Sequence, residues 1–468
     1  MREFARIVVL GAALGIATAY SVEPWSHPEP ASRPIQLGPI DVQRPRLTPQ
    51  PQAVNGTSSP ALDLNGTWWF NPDPPVGFEQ DPGGGGWATI QVPGQWSMQG
   101  FEVPGDRAVG YRRTFVVPND WSGTRIKLRF DAVYGLARIW VNGSLAGESE
   151  RTFTPFELDV TELVTPGREN VTTLSIANDC VADVISYGQG YARHQLGGII
   201  RDVKLIAVPE VHLGRLHTET TFDEAYEDAT LRLVLNVDNP SRSDTDDLRL
   251  VWELADPDQR PVELGENAIG LPGVTSDSDL DHTIDIPVTA PAKWHPEHPN
   301  LYTLTVSLER GGRPTERVTR RIGFRQVEVR GTQLLVNGRP TKLRGINRHE
   351  AHPLLGRAIR EPFWRTDAEL YKAANINYIR TSHYPPDERF VEICDEIGLF
   401  VEVEAPVIWI GHDAAPIWKE WDYTDERFTE YFARFVAETI ERDRSHPSVL
   451  FWSLANESYW SESWERVK

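Results

Sequence analysis

Residues 378–404 read YIRTSHYPPDERFVEICDEIGLFVEVE, and this stretch decides the fold. Its ends, 378–381 and 400–404, are short runs with strand composition. Between them Phe390, Ile393, Cys394 and Ile397 recur on one helical face, and Gly398 supplies the stop. Two strands joined through a helix must lie parallel. The same alternation extends both ways. A strand at 343–347 and a helix at 364–374 precede it. A helix carrying Phe428, Tyr431, Phe432, Phe435, Val436 and Ile440, then a strand at 449–454, follow. The spacing therefore predicts a parallel sheet with helical crossovers over 328–468, the first half of a TIM (β/α)8 barrel.

Upstream the grammar is all β. Residues 62–209 carry short alternating runs at 111–117, 125–130, 136–141, 171–176 and 203–208, and Asn142-Gly143 is a strong hairpin signal. A β-sandwich of jelly-roll type is expected there. Residues 210–327 repeat the pattern at 229–237, 248–254 and 301–308, with acidic, Ser-rich loops, at the size of an immunoglobulin-like β-sandwich. Residues 22–61 are rich in Pro, Ser and Gln without hydrophobic periodicity and read as a disordered linker. At residues 1–21, Arg2 and Arg6 precede an apolar run that ends in Ala17-Thr18-Ala19, the pattern of a signal peptide or N-terminal anchor. Export to a periplasmic or extracellular location is expected, with anchorage through an uncleaved segment as the alternative. Cys180 and Cys394 lie far apart and are expected to be buried, inert thiols.

A formal net charge of −20, with no basic run, argues against nucleic acid and anionic membranes as partners. The chain has 16 Trp, residues that stack on sugar rings but also fill cores. Barrel chemistry sits at the carboxyl ends of the strands. Here those ends read Asn347-Arg348-His349-Glu350-Ala351-His352-Pro353, Arg380-Thr381-Ser382-His383-Tyr384-Pro385, Glu402-Val403-Glu404 and Asn456-Glu457. Four successive polar strand ends make a site there. Taken alone, a Glu at a strand end is more often salt-bridged than catalytic.

Gly345-Ile346-Asn347-Arg348-His349-Glu350, Arg380 to Pro385, Arg444-Ser445-His446-Pro447-Ser448-Val449 and Trp452-Ser453-Leu454-Ala455-Asn456-Glu457-Ser458 resemble glycoside hydrolase family 2. Trp140-Val141-Asn142-Gly143, Phe156-Glu157-Leu158-Asp159 and Gly198-Ile199-Ile200-Arg201-Asp202-Val203 resemble its sugar-binding jelly roll. The run Trp294-His295-Pro296-Glu297-His298-Pro299-Asn300-Leu301-Tyr302 is similar to the end of its immunoglobulin-like domain.

The resemblance implies a retaining exo-β-glycosidase, most like a β-galactosidase, acting on β-glycoside or oligosaccharide substrates without a cofactor. It makes Glu457 the acid/base and places Asn456 on the sugar 2-hydroxyl. It sets Arg380 beside the nucleophile, and His352 and His383 on sugar hydroxyls. His352 and His383 also suit hydrogen-bonded core positions. Trp409 would stack on substrate or simply pack. His349, Glu350 and Glu404 would be supporting groups. Retaining chemistry needs two carboxyl groups about 5–5.5 Å apart. A whole barrel takes about 250 residues, more than remain after Arg330. On this reading the nucleophile lies beyond Lys468, and the chain by itself is inactive. A missing C-terminal half or a complementing chain would complete it, and a homo-oligomer is a further expected partner state.

In one β-galactosidase branch a Glu and a His of the strand-three loop hold magnesium. Here that loop reads Glu404-Ala405-Pro406-Val407-Ile408-Trp409-Ile410, so no such metal site is expected. A non-catalytic carbohydrate-binding protein is the rival reading. The loop at 181–196, with Tyr187, Tyr191, Arg193 and His194, is expected to reach toward the site without an assigned role.

Overall fold

The alternating runs of the first domain form two antiparallel sheets facing one core. The larger sheet orders strands Gly198–Ile199, Val133–Val141, Glu169–Ala177, Val109–Val116, Gly66–Asn71 and Ala88–Val92, with Ser144–Arg151 paired to Val133–Val141. The smaller orders Ala61–Asp63, Val203–Val208, Arg125–Phe130 and Phe156–Asp159. Trp68, Phe70, Trp96, Tyr111, Trp121 and Phe130 fill the space between them, and burying such rings dominates the domain's stability. The Asn142-Gly143 hairpin closes as its sequence predicts, with φ of 50° and 80°, the left-handed pair a tight turn between twisted strands demands.

The computed structural model describes residues 45–80, 85–104, 107–192, 194–411 and 426–467. The expected signal or anchor at 1–21 lies outside them. Among the described residues no helix is long and apolar enough to cross a membrane.

The expected linker needs correction where it is described. Residues 45–61 run along the folded domains rather than away from them. Strand Ala53–Val54 adds to the edge strand Arg313–Ile322, Thr48 is buried against Glu157, and Arg46 pairs with Asp279 at 2.8 Å. Attachment there works through backbone hydrogen bonds and single side chains, so it leaves no hydrophobic period to read.

The second sandwich packs strands His212–Phe222, Ala229–Asn239 and Ser278–Val288 against a sheet containing Leu248–Ala255, Tyr302–Arg310 and Arg313–Ile322. Leu231, Leu233, Trp252, Leu304 and Val306 alternate inward from the two sheets.

The barrel segment follows. Strands Gly345–Arg348, Tyr378–Thr381, Phe400–Glu404 and Val449–Ser453 pair in chain order and in parallel, crossed by helices Glu361–Ala373, Glu388–Ile397 and Glu426–Asp443. Gly398 ends its helix at φ 83°, and a Cβ there would meet the Pro296 carbonyl of the second sandwich at 2.2 Å. Only glycine permits both the turn and that approach. Nearby, the fully buried Trp294 donates its indole N–H to the Asp395 carbonyl at 3.0 Å. His446 of the Arg-Ser-His-Pro-Ser run meets the Asp395 carboxylate at 2.6 Å, while Ser445 receives the Thr218 backbone N–H. That motif locks the barrel to the second sandwich. Cys180 and Cys394 are buried free thiols.

Candidate active site

The parallel register brings the four strand ends side by side. Arg380 is the hub. Its Nε donates to Glu404 Oε2 at 2.8 Å, Nη1 to Asn347 Oδ1 at 3.3 Å and Nη2 to Asn456 Oδ1 at 2.9 Å. One guanidinium fork thus ties strands one, two, three and four, a task lysine's single point charge cannot do. It also orients the Asn456 amide, because Oδ1 must face the donor and Nδ2 therefore lies opposite.

Glu404 is fully buried. Besides Arg380 it accepts from Ser453 Oγ at 2.6 Å and contacts His383 Nδ1 at 2.8 Å. A carboxylate oxygen accepts, so Nδ1 carries the proton. The 3.3 Å approach of Arg380 Nη2 to the same nitrogen is then no hydrogen bond. In the neutral ring Nε2 is the acceptor. His349 stands edge-on to His383, with ring centroids 5.0 Å apart. Burial, then His383, Arg357 and Arg380, push the His349 imidazole down to about 4, so it is neutral near pH 7.

Asn456 is buried and Glu457 exposed at the end of the fourth strand. The strand-three loop runs beside them. Trp409 N–H donates to the Asn456 carbonyl at 2.9 Å, and Asn456 N–H to the Val407 carbonyl at 2.8 Å. Trp409 Nε1 then donates to Glu457 Oε2 at 2.5 Å. Glu457 and Trp409 both adopt left-handed backbone, at φ 44° and 58°. Such strained non-glycine residues persist where surrounding structure over-determines them, commonly at functional sites.

Five of the six residues assigned from sequence, namely Arg380, His383, Trp409, Asn456 and Glu457, therefore share one connected network. The described contacts of His352 are local instead. Its Nδ1 accepts from Leu354 N–H at 3.2 Å and its ring lies 4.4 Å from Phe363. Ile408 and Ile410 turn into the core, and no group of three or more potential metal ligands occurs among the described residues.

Sequence reasoning missed what the jelly roll contributes. Arg201 reaches across the seam, donating to Glu350 Oε2 at 3.0 Å and to the Pro385 carbonyl at 2.7 Å, while within its own domain it donates to the Phe153 carbonyl at 2.6 Å. Gln95, fully buried, accepts the Arg357 backbone N–H in the strand-one loop. His194 Nδ1 faces the Ala192 carbonyl at 2.7 Å and so must donate, which leaves Nε2 to accept from Gln95 at 3.1 Å. The expected loop at 181–196 holds two short helices, Val181–Ser186 and Gly188–Ala192, the first packed under the strand-three loop. Arg193 lies outside the described residues. None of the bonds into the barrel had a local signal, because Glu350, Pro385 and Arg357 each sit more than a hundred residues from their jelly-roll partners. A cavity of ≈ 180 Å³ at the same seam is lined by matched charges, among them Arg129, Asp131, Asp387 and Glu388. Its lining is that of a charged domain joint rather than a sugar site.

Two β-sandwiches lead into parallel βα units, with a carboxyl, an amide and an arginine gathered at the strand ends, the architecture of a multidomain barrel protein. Three family models match in tandem: "Glycosyl hydrolases family 2, sugar binding domain" over 62–209, "Glycosyl hydrolases family 2" over 211–325, and "Glycosyl hydrolases family 2, TIM barrel domain" over 327–468. The chain belongs to glycosyl hydrolase family 2. A beta-galactosidase of Priestia megaterium (strain DSM 319 / IMG 1521) is 32% identical over 457 residues, covering 86% of this chain and 42% of that protein. One of Alteromonas mediterranea is 32% identical over 405 residues, covering 79% and 36% respectively. Among solved structures, Bacteroides uniformis beta-glucuronidase superposes with a TM-score of 0.72 at 26% identity, over 85% of this chain and 46% of that one. The chain thus spans about two fifths of the length of the curated relatives it matches.

Proposed function

We propose that this chain serves a retaining exo-β-glycosidase, galactosidase-like in substrate, with Glu457 as acid/base. The observation that carries the reading is the Asn456–Glu457 pair at the fourth strand end, its amide oriented by Arg380. In the acid step the Glu457 carboxyl protonates the leaving oxygen; in the second it takes a proton from the attacking water. The Asn456 amide serves the sugar 2-hydroxyl, where its bond strengthens as positive charge develops on the ring. Relatives named beta-galactosidase at 30–32% identity favour a galactoside.

We assign the nucleophile to a residue outside those described. Glu404 is fully buried and bonded on both oxygens, Glu350 is committed to Arg201, and Glu402 accepts the Tyr378 hydroxyl. A longer polypeptide or a complementing chain would bring it. The basic, apolar N-terminus supports an exported enzyme, cleaved or anchored.

The test is hydrolysis of aryl β-galactosides and β-glucuronides, graded by leaving-group pKa, by the polypeptide with a completed barrel. Glu457→Gln should lower rates on poor leaving groups by about 10²–10⁴-fold, and azide should restore turnover of activated substrates in Glu457→Ala. Rates unaltered by Glu457→Gln would remove it from the acid role. Retaining hydrolysis by residues 1–468 alone would overturn the need for a longer polypeptide or a complementing chain. Sugar binding without hydrolysis in the completed protein would establish the carbohydrate-binding alternative.

A further inference from the structure

We propose that Trp409 is a positioning residue for Glu457, and that the jelly roll sets it through helix Val181–Ser186. This rests on the acid/base reading of Glu457 and extends it to the groups that aim the carboxyl.

Three observations lead there. In the strand-three loop Ile408 and Ile410 are buried, while the left-handed backbone of the half-buried Trp409 turns its ring to the site. The indole N–H then meets Glu457 Oε2 at 2.5 Å. An indole nitrogen only donates, so Oε2 is held as the acceptor, and the proton of the acid form belongs on Oε1. The contact therefore selects which oxygen delivers the proton. Second, the Trp409 ring packs on Tyr187 at a centroid distance of 4.8 Å. Third, the backbone of the loop is pinned from the jelly-roll side, where Ile408 N–H donates to the Ile185 carbonyl at 2.9 Å. Val181, Ala182 and Ile185 share a buried cluster with Val407 and Ile410, which anchors helix and loop as one body. A domain far away in sequence thus supports the acid residue from beneath.

Indole ¹⁵N–¹H spectra of the full chain, labelled at tryptophan, test the coupling without needing turnover. Trp409→Phe assigns the peak by its loss. Glu457→Gln should then move that peak while the other indole signals stay in place, and Tyr187→Ala should broaden or displace it. In the completed enzyme, Trp409→Phe should lower the ratio of poor to activated leaving-group rates about tenfold, as a misaimed general acid would. A Trp409 peak indifferent to Glu457→Gln would overturn the proposal whatever the kinetics. A moved peak alongside a flat leaving-group profile in Glu457→Gln would instead sink the acid/base reading and leave the contact standing.

Discussion

Arg201→Met is the sharpest test of how the domains hold the site. Arg201 and Glu350 are both almost fully buried, 3.0 Å apart, and Asp387 lies 3.7 Å from the same guanidinium. At an effective dielectric of about 20, charges 3–4 Å apart interact by about 4–5 kcal/mol. Two effects trim the loss. Arg348 remains 3.7 Å from Glu350. The Asp387 carboxyl is already pushed up to about 7 by burial, which outweighs Arg201, so it escapes by taking a proton. One effect adds to it, since the Phe153 and Pro385 carbonyls each lose a charged donor. The net cost should be about 3–5 kcal/mol, the range found when one partner of a buried pair is removed. Urea unfolding followed by tryptophan fluorescence, in a cycle with Glu350→Gln, measures it. The double variant should fall short of the sum of the singles by about 2–3 kcal/mol. A single-variant loss below about 1 kcal/mol, or strict additivity, would refute the reasoning and reduce Arg201 to a seam residue of no special weight.

Gly398→Ala should cost about 2–4 kcal/mol, combining left-handed backbone with a Cβ driven into the Pro296 carbonyl; a midpoint shift worth under about 0.5 kcal/mol would exclude that clash. His446 titrates against the burial that disfavours its charge, because Asp395, Glu388 and Asp443 hold the imidazolium well above the usual histidine range. Its stabilisation is full below the unfolded value near 6.5 and fades as pH rises through the folded one. The stability difference between wild type and His446→Gln should therefore shrink on the alkaline side; a constant difference across the range would remove the charge from the account. Burial pushes the Asp183 carboxyl up to about 7, against hydrogen bonds from Tyr134 and Gln189. Its neutral form supports helix Val181–Ser186 in acid, and that support is lost as pH rises through about 7. Asp183→Asn should flatten this slope in thermal melts between pH 5 and 8.

The barrel strands and their helices were legible because their signals are local. The run at 378–404 carries its strand composition, its helical period and its terminal glycine within one stretch, and the strands form where that stretch places them. Arg380, Asn456 and Glu457 were equally legible, since a polar group at a parallel strand's carboxyl end has one destination. His352 shows the limit. It shares a motif with the site, yet its described bonds are to its own turn. The stretch at 45–61 shows another, because backbone pairing to an edge strand leaves no trace in composition.

By itself, the order of residues along this chain determined two β-sandwiches, a parallel βα segment and a carboxyl–amide pair at its fourth strand end. Periodicity and turn chemistry act over a few residues, and that is where they are written. Tertiary structure alone decided that Arg201 and Gln95 belong to the barrel's loops, that Ser445 and Trp294 hold domains together, and that Trp409 faces Glu457 with Tyr187 against it. Those are long-range contacts between residues whose local sequence serves other elements. Their energies exist only once burial removes water from both sides.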